Sequence, residues 1–122
     1  MARIFTLEEA RALMPQVRAL TEPVYLLADS LADEVAQCDE EREADRAEEL
    51  RDRLQGLVES WAEAIRDLGA DVKGLWLVDF DSGDGYWCWA YPEEHLDHWH
   101  SYDEGFAGRR PAVERPEGHL HP

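Results

Sequence analysis

At 122 residues the chain is long enough for one modest core and too short for two ordinary domains. Its 28 acidic residues outnumber 12 basic ones, and the net charge of −16 makes nucleic acid and anionic membrane surfaces poor partners. No run approaches membrane-spanning length, and Met1-Ala2-Arg3-Ile4-Phe5-Thr6 lacks the apolar stretch of a signal peptide, so a cytoplasmic protein is expected.

Thr6-Leu7-Glu8-Glu9 matches a capping box and predicts a helix start. From there Leu7, Ala10, Leu13, Val17, Leu20, Val24, Leu27, Leu31 and Val35 recur at threes and fours, one apolar stripe over about eight turns. Pro15 and Pro23 each remove an amide donor within it, which predicts a bend or a break. Residues 37–49 are charged and read as a solvated connection. The stripe resumes with Leu50, Leu54, Leu57, Trp61, Ala64 and Leu68, and Gly69 stands where a left-handed cap is usual. Helices over about 6–36 and 40–69 form an antiparallel hairpin.

Beyond Gly69 the period changes to two. Val72 to Phe80 reads as one strand, with Trp76, Val78 and Phe80 on one face and Leu75, Leu77 and Asp79 on the other. Asp81-Ser82-Gly83-Asp84-Gly85 is a turn, and Tyr86 to Tyr91 returns with Trp87 and Trp89 on one face and Cys88 and Ala90 on the other. Pro92 ends that strand, and His95 to His100 supplies a third. The expected fold is α+β: a long helical hairpin packed on an antiparallel three-stranded sheet, in a single domain over residues 1–112 with a tail over 113–122. A sheet apolar on both faces has to be covered twice. The helices cover one face; the C-terminal segment or a second subunit covers the other, and a homodimer is the expectation.

Lys73 is the single lysine beside eleven arginines. Adaptation to a salty cytoplasm and a GC-rich genome both account for this balance. Cys38 and Cys88 fall in different elements and read as reduced thiols rather than a disulfide.

Polar residues interleave with the aromatics of the last third. His98 and His100, two apart in a strand, project from one face about 7 Å apart, within reach of one metal ion. Glu93, Glu94, His95, Asp97 and Asp103 are near enough in sequence to complete a mixed nitrogen and oxygen site for Zn, Mn or Fe, although hydrogen-bonded surface explains the same residues. The His119/His121 pair repeats the spacing in a tail that cannot hold ligands in place. Asp79, within an apolar strand, is either a general acid or base or a structural carboxylate answered by Arg109 or Arg110. Gly105-Phe106-Ala107-Gly108-Arg109 either cradles a small anionic ligand or docks Phe106 into the core. Trp87, Trp89 and Trp99 either stack on a ligand or fill the core. Neither cysteine sits beside an obvious base, and nucleophile elbows and phosphate loops are absent from the sequence.

Phe5-Thr6-Leu7-Glu8-Glu9-Ala10 with Leu13-Met14-Pro15, Leu68-Gly69, Val72-Lys73, Leu77-Val78-Asp79-Phe80, Cys88-Trp89, Glu93, Trp99-His100 and Gly105-Phe106-Ala107-Gly108-Arg109-Arg110-Pro111 together resemble the prokaryotic family DUF2203, from about residue 3 to 112. The resemblance implies a small cytoplasmic protein without an assigned activity, and it places recurring polar positions at Glu9, Asp79, Glu93, His100 and Arg109. An aromatic residue is usual in that family at the position of His98, a Gly at Trp76 and an Asn at Arg11. This favours Glu93 with His100 over the His98/His100 pair as metal ligands. Three readings follow: a protein that binds a small ligand or divalent metal through Asp79, Glu93, His100, Asp103, Arg109 and Trp89; a metal-dependent enzyme with Asp79 as base and Arg109 orienting an anionic substrate; or a helical interaction module.

Overall fold

The computed structural model describes residues 3–115, so His119, His121 and most of the tail lie outside the described residues. Helix α1 spans Leu7–Glu40 and α2 spans Ala44–Asp67. The capping box forms as expected: the Thr6 hydroxyl accepts from the Glu9 amide at 3.1 Å, and the Glu9 carboxylate accepts from the Thr6 amide at 2.9 Å. Helix α1 runs through Pro15 and Pro23 without a break, because the packing of its apolar stripe against α2 and the sheet outweighs two lost backbone bonds. Gly69, at φ +97°, ends α2 in the left-handed conformation that a side chain would resist.

The helices turn back on each other across Glu41–Glu43. Their inner faces meet through Leu31, Cys38, Ala47 and Leu50 at the turn end, and through a bond from Trp61 Nε1 to the Thr21 hydroxyl (2.9 Å) nearer the sheet. That bond satisfies two polar groups buried in the main core.

Among the described residues the sheet has five antiparallel strands in the order β1-β2-β3-β4-β5, not three: β1 (Asp71–Gly74), β2 (Leu77–Asp81), β3 (Gly85–Ala90), β4 (His98–Ser101) and β5 (Arg110–Pro111). The continuous run expected over 72–80 folds back on itself at Leu75-Trp76, so that Val72 pairs with Val78 and Gly74 with Leu77. Trp76 takes φ +64°, where a non-glycine residue is strained by about 1–2 kcal/mol. Its ring offsets that strain by packing on Tyr25 (centroids 5.4 Å apart) and Trp61 (5.0 Å). The fifth strand is two residues long, too short for its periodicity to register in the sequence.

The alternation of the central strands sorts the sheet into two faces. Val78, Phe80, Trp87, Trp89 and Trp99 join Val17, Trp61 and Ile65 of the helices in the core. The opposite face carries a row of Asp79, Cys88 and His98, and beside it a row of Asp81, Tyr86 and His100. This face is therefore polar. The segment after β4 lies across it, so a second subunit is not needed to cover an apolar surface there.

Candidate metal centre

Three buried side chains converge on the outward face. Asp79 on β2 and Cys88 on β3 are cross-strand partners, and His100 stands on β4 one pair further along. Each is no more than 2 % exposed, and one ligand atom from each, Asp79 carboxylate oxygen, Cys88 Sγ and His100 ring nitrogen, falls within 4.8 Å of the other two.

The hydrogen bonds of His100 define its chemistry. Nδ1 lies 2.8 Å from the Ser101 carbonyl, which only accepts, so Nδ1 carries the proton and donates it there. In the neutral ring Nε2, 3.0 Å from Asp79 Oδ2, then presents a lone pair to a carboxylate. Two acceptors face each other, and either a proton or a cation has to lie between them. Asp79 Oδ1 is buried without a hydrogen-bond partner, a second acceptor left unanswered. Burial holds the Asp79 carboxyl above its ordinary pKa, and the Cys88 thiol and His100 only partly offset this. Burial, followed by the Asp79 charge, pushes the Cys88 thiol far above the usual thiol range, so without a cation Cys88 is a protonated donor rather than a nucleophile.

The three ligand types fit a divalent ion. Bonds of about 2.0–2.1 Å to nitrogen and oxygen and 2.3 Å to sulfur, arranged tetrahedrally, place ligand atoms roughly 3.3–3.8 Å apart. His100 Nε2 and Asp79 Oδ2 stand 3.0 Å apart, slightly closer than that range, and all three ligand atoms lie within 4.8 Å of one another. A histidine that ligates metal through one nitrogen commonly donates the other N–H to a backbone carbonyl, the role the Ser101 carbonyl would take if His100 held an ion. Thiolate, imidazole and carboxylate together suit zinc better than a hard cation.

All three line a pocket of about 320 Å³ walled by Tyr86, Tyr102 and Phe106. Tyr102 donates to Asp81 Oδ1 at 2.6 Å, and its ring meets Tyr86 edge-on at 5.1 Å. Burial, and then the bond to Asp81, raises its hydroxyl above the usual phenol range. Lys73 reaches the same pocket from β1, with Nζ 4.6 Å above the Tyr86 ring and 3.3 Å from its hydroxyl. Burial alone would lower the lysine pKa, but the Tyr86 hydroxyl and the carboxylates of Asp71 and Asp79 raise it, so it stays a cation.

Glu93 and Arg109 form a second cluster. Arg109 Nη2 donates to both Glu93 oxygens (2.6 and 2.8 Å) and to the Cys88 carbonyl (3.3 Å), and its guanidinium stacks 4.7 Å from the Phe106 ring. His98 Nδ1 stands 3.6 Å from Glu93, beyond hydrogen-bond reach. Glu93 also accepts from the Ala90 amide at 2.7 Å, so its carboxylate is engaged on both sides. Arg18 of α1 donates to the carbonyls of Glu93 (2.6 Å) and Glu94 (3.1 Å), and Arg11, one heptad earlier, to that of Leu96 (3.1 Å). The long helix thereby fixes the β3–β4 connection.

The residues singled out in the sequence thus divide. Asp79 and His100 come together; Arg109 answers Glu93 and Arg110 answers Glu104, so neither arginine meets the expectation of pairing with Asp79. Trp89 is fully buried toward the helices with Nε1 donating to the Glu93 carbonyl, and Asp103 is exposed on the turn after β4. Cys88 and Lys73 are the members that sequence reasoning left out. A signal for Cys88 was present: a hairpin closed by Asp81 opposite Tyr86 necessarily sets Asp79 opposite Cys88.

No helix among the described residues is long and apolar enough to cross a membrane. Comparison with curated proteins and with solved structures gives no match. The family model described as "Uncharacterized conserved protein (DUF2203)" matches residues 3–112, nearly the whole chain, and the chain belongs to that family.

Proposed function

We propose that the protein binds one divalent metal ion, zinc by preference, through Asp79, Cys88 and His100, and presents it to a small ligand in the adjoining pocket. The observation that carries this reading is the facing of His100 Nε2 and Asp79 Oδ2 at 3.0 Å, with the other ring nitrogen committed to a carbonyl and the second carboxylate oxygen unpartnered. Three protein ligands beside a pocket leave a coordination position open, the pattern of zinc sites that act on a ligand rather than hold a fold together. A zinc ion there would supply Lewis acidity to a ligand oxygen. The chain's part is to keep the site dry, to fix the His100 tautomer through Ser101 and to hold the pocket wall through the Arg109–Glu93 pair. A thiol ligand calls for a reducing compartment, which fits a cytoplasmic protein with free Cys38 and Cys88. A homodimer remains part of the proposal; Leu26 and Leu27, half exposed on α1, are its supporting feature.

The test is zinc stoichiometry and affinity by competition with a chromophoric chelator, on protein purified without a histidine tag. One zinc per chain is expected, lost in Cys88→Ser and His100→Ala and kept in Glu93→Gln. Retention in Cys88→Ser together with loss in Glu93→Gln would move the site to the Glu93 cluster and overturn the assignment. Circular dichroism of each variant separates lost ligation from lost folding.

A further inference from the structure

We infer that the ligand of this pocket is a small organic carboxylate with an aromatic or branched apolar body, its charge matched by Lys73. The inference rests on the metal reading above and adds the class of molecule. In a chain of net charge −16, an anion site needs a local reason. With an ion bound, the Cys88 thiolate and the Asp79 carboxylate cancel its two charges and His100 contributes none. Lys73 is then the one formal charge left among the residues lining the pocket. It is also the only lysine of the chain. The Tyr86 hydroxyl engages one of its three ammonium protons, and the Tyr86 ring holds the group from below, leaving donors for a ligand.

The rest of the lining sets the body of the ligand. Leu77 and Phe106 are apolar, and Phe106 and Tyr102 are 50 % and 48 % exposed although Phe106 is pinned by the Arg109 guanidinium. Aromatic rings held in place and left half uncovered at a pocket edge suit contact with an apolar molecule. A volume of about 320 Å³ lies at the small end of ligand pockets and fits a single small molecule rather than a polymer.

The experiment uses the cobalt-loaded full chain and benzoate, benzamide and benzylammonium as probes of equal size and different charge. Cobalt content is measured first, then the paramagnetic relaxation of each probe's ring protons. Benzoate is expected to relax strongly and saturably, with the neutral and cationic probes weaker by about tenfold or more. Lys73→Met should weaken benzoate by a similar factor at unchanged cobalt content, and Lys73→Arg should restore most of it. Equal relaxation by benzamide, or a benzoate response unaltered in Lys73→Met, would overturn the ligand class while leaving the metal centre standing. Failure of the wild-type chain to load cobalt or zinc would overturn the metal centre and this inference with it.

Discussion

Replacing Asp79 by Asn separates a metal ligand from a structural carboxylate. Asp79 is 1 % exposed, its Oδ1 has no hydrogen-bond partner, and burial holds its pKa above the ordinary value. The folded state therefore favours the protonated carboxyl. Its contribution to stability is present below the ordinary carboxylate pKa and is lost as pH rises through the raised folded value. An Asn at this position donates from Nδ2 to His100 Nε2 and buries no charge. Since the amide removes a buried charge whose desolvation opposes folding, metal-free Asp79→Asn is expected to match or exceed the wild type at neutral pH by up to about 2 kcal/mol. For a chain of this length that raises Tm by roughly 3–8 °C, and the gap should close as pH falls toward about 4. With zinc at about a thousand times Kd the wild type gains roughly 4 kcal/mol and the variant, one ligand short, gains much less, so the order reverses. Thermal unfolding of both proteins with zinc and with chelator, over a pH series, reads this directly. A loss of about 3–5 kcal/mol in the metal-free variant would mark Asp79 as one half of a structural ion pair and not a metal ligand. An equal zinc response in the two proteins would likewise refute its role as a ligand.

Gly85→Ala tests the register that positions His100. A Cβ there would meet the His100 carbonyl and the Trp99 ring at 2.4 Å, so a loss of about 2–3 kcal/mol with weakened zinc binding is expected; a neutral effect would contradict the close approach of β3 and β4. Arg109→Gln breaks the pair with Glu93, whose members are 13 % and 27 % exposed, and should cost about 2–3 kcal/mol while loosening the pocket wall, read as faster amide exchange in residues 105–111. No change in exchange would remove Arg109 from that role. The surplus of acidic groups predicts that Tm rises between low salt and about 1 M potassium chloride as self-repulsion is screened; a flat or falling Tm favours the genomic explanation of the arginine-rich, lysine-poor composition.

The helical half of the molecule was legible because each helix carries its own signals: a capping box at Thr6, a stripe at threes and fours, and a left-handed Gly69. The sheet was legible in its alternation and not in its folding back. Trp76 occupies a left-handed turn position without the glycine that would announce it, stabilised only by contacts with Tyr25 and Trp61 that are remote in sequence. The site was legible in part. Asp79 and His100 drew attention as polar residues in apolar strands, but their pairing depends on the register of β4, which the connection over residues 91–97 conceals. Arg109 looked free to answer Asp79 because nothing local shows that Arg11 and Arg18 hold the Glu93–Leu96 backbone where Glu93 intercepts it.

On the proposed assignment a thiolate, an imidazole and a carboxylate share one ion. X-ray absorption at the zinc edge on the untagged, zinc-loaded chain measures this most directly. One sulfur at about 2.3 Å with nitrogen and oxygen neighbours at about 2.0–2.1 Å is predicted, with the sulfur shell gone in Cys88→Ser. A wild-type shell of nitrogen and oxygen alone would contradict it.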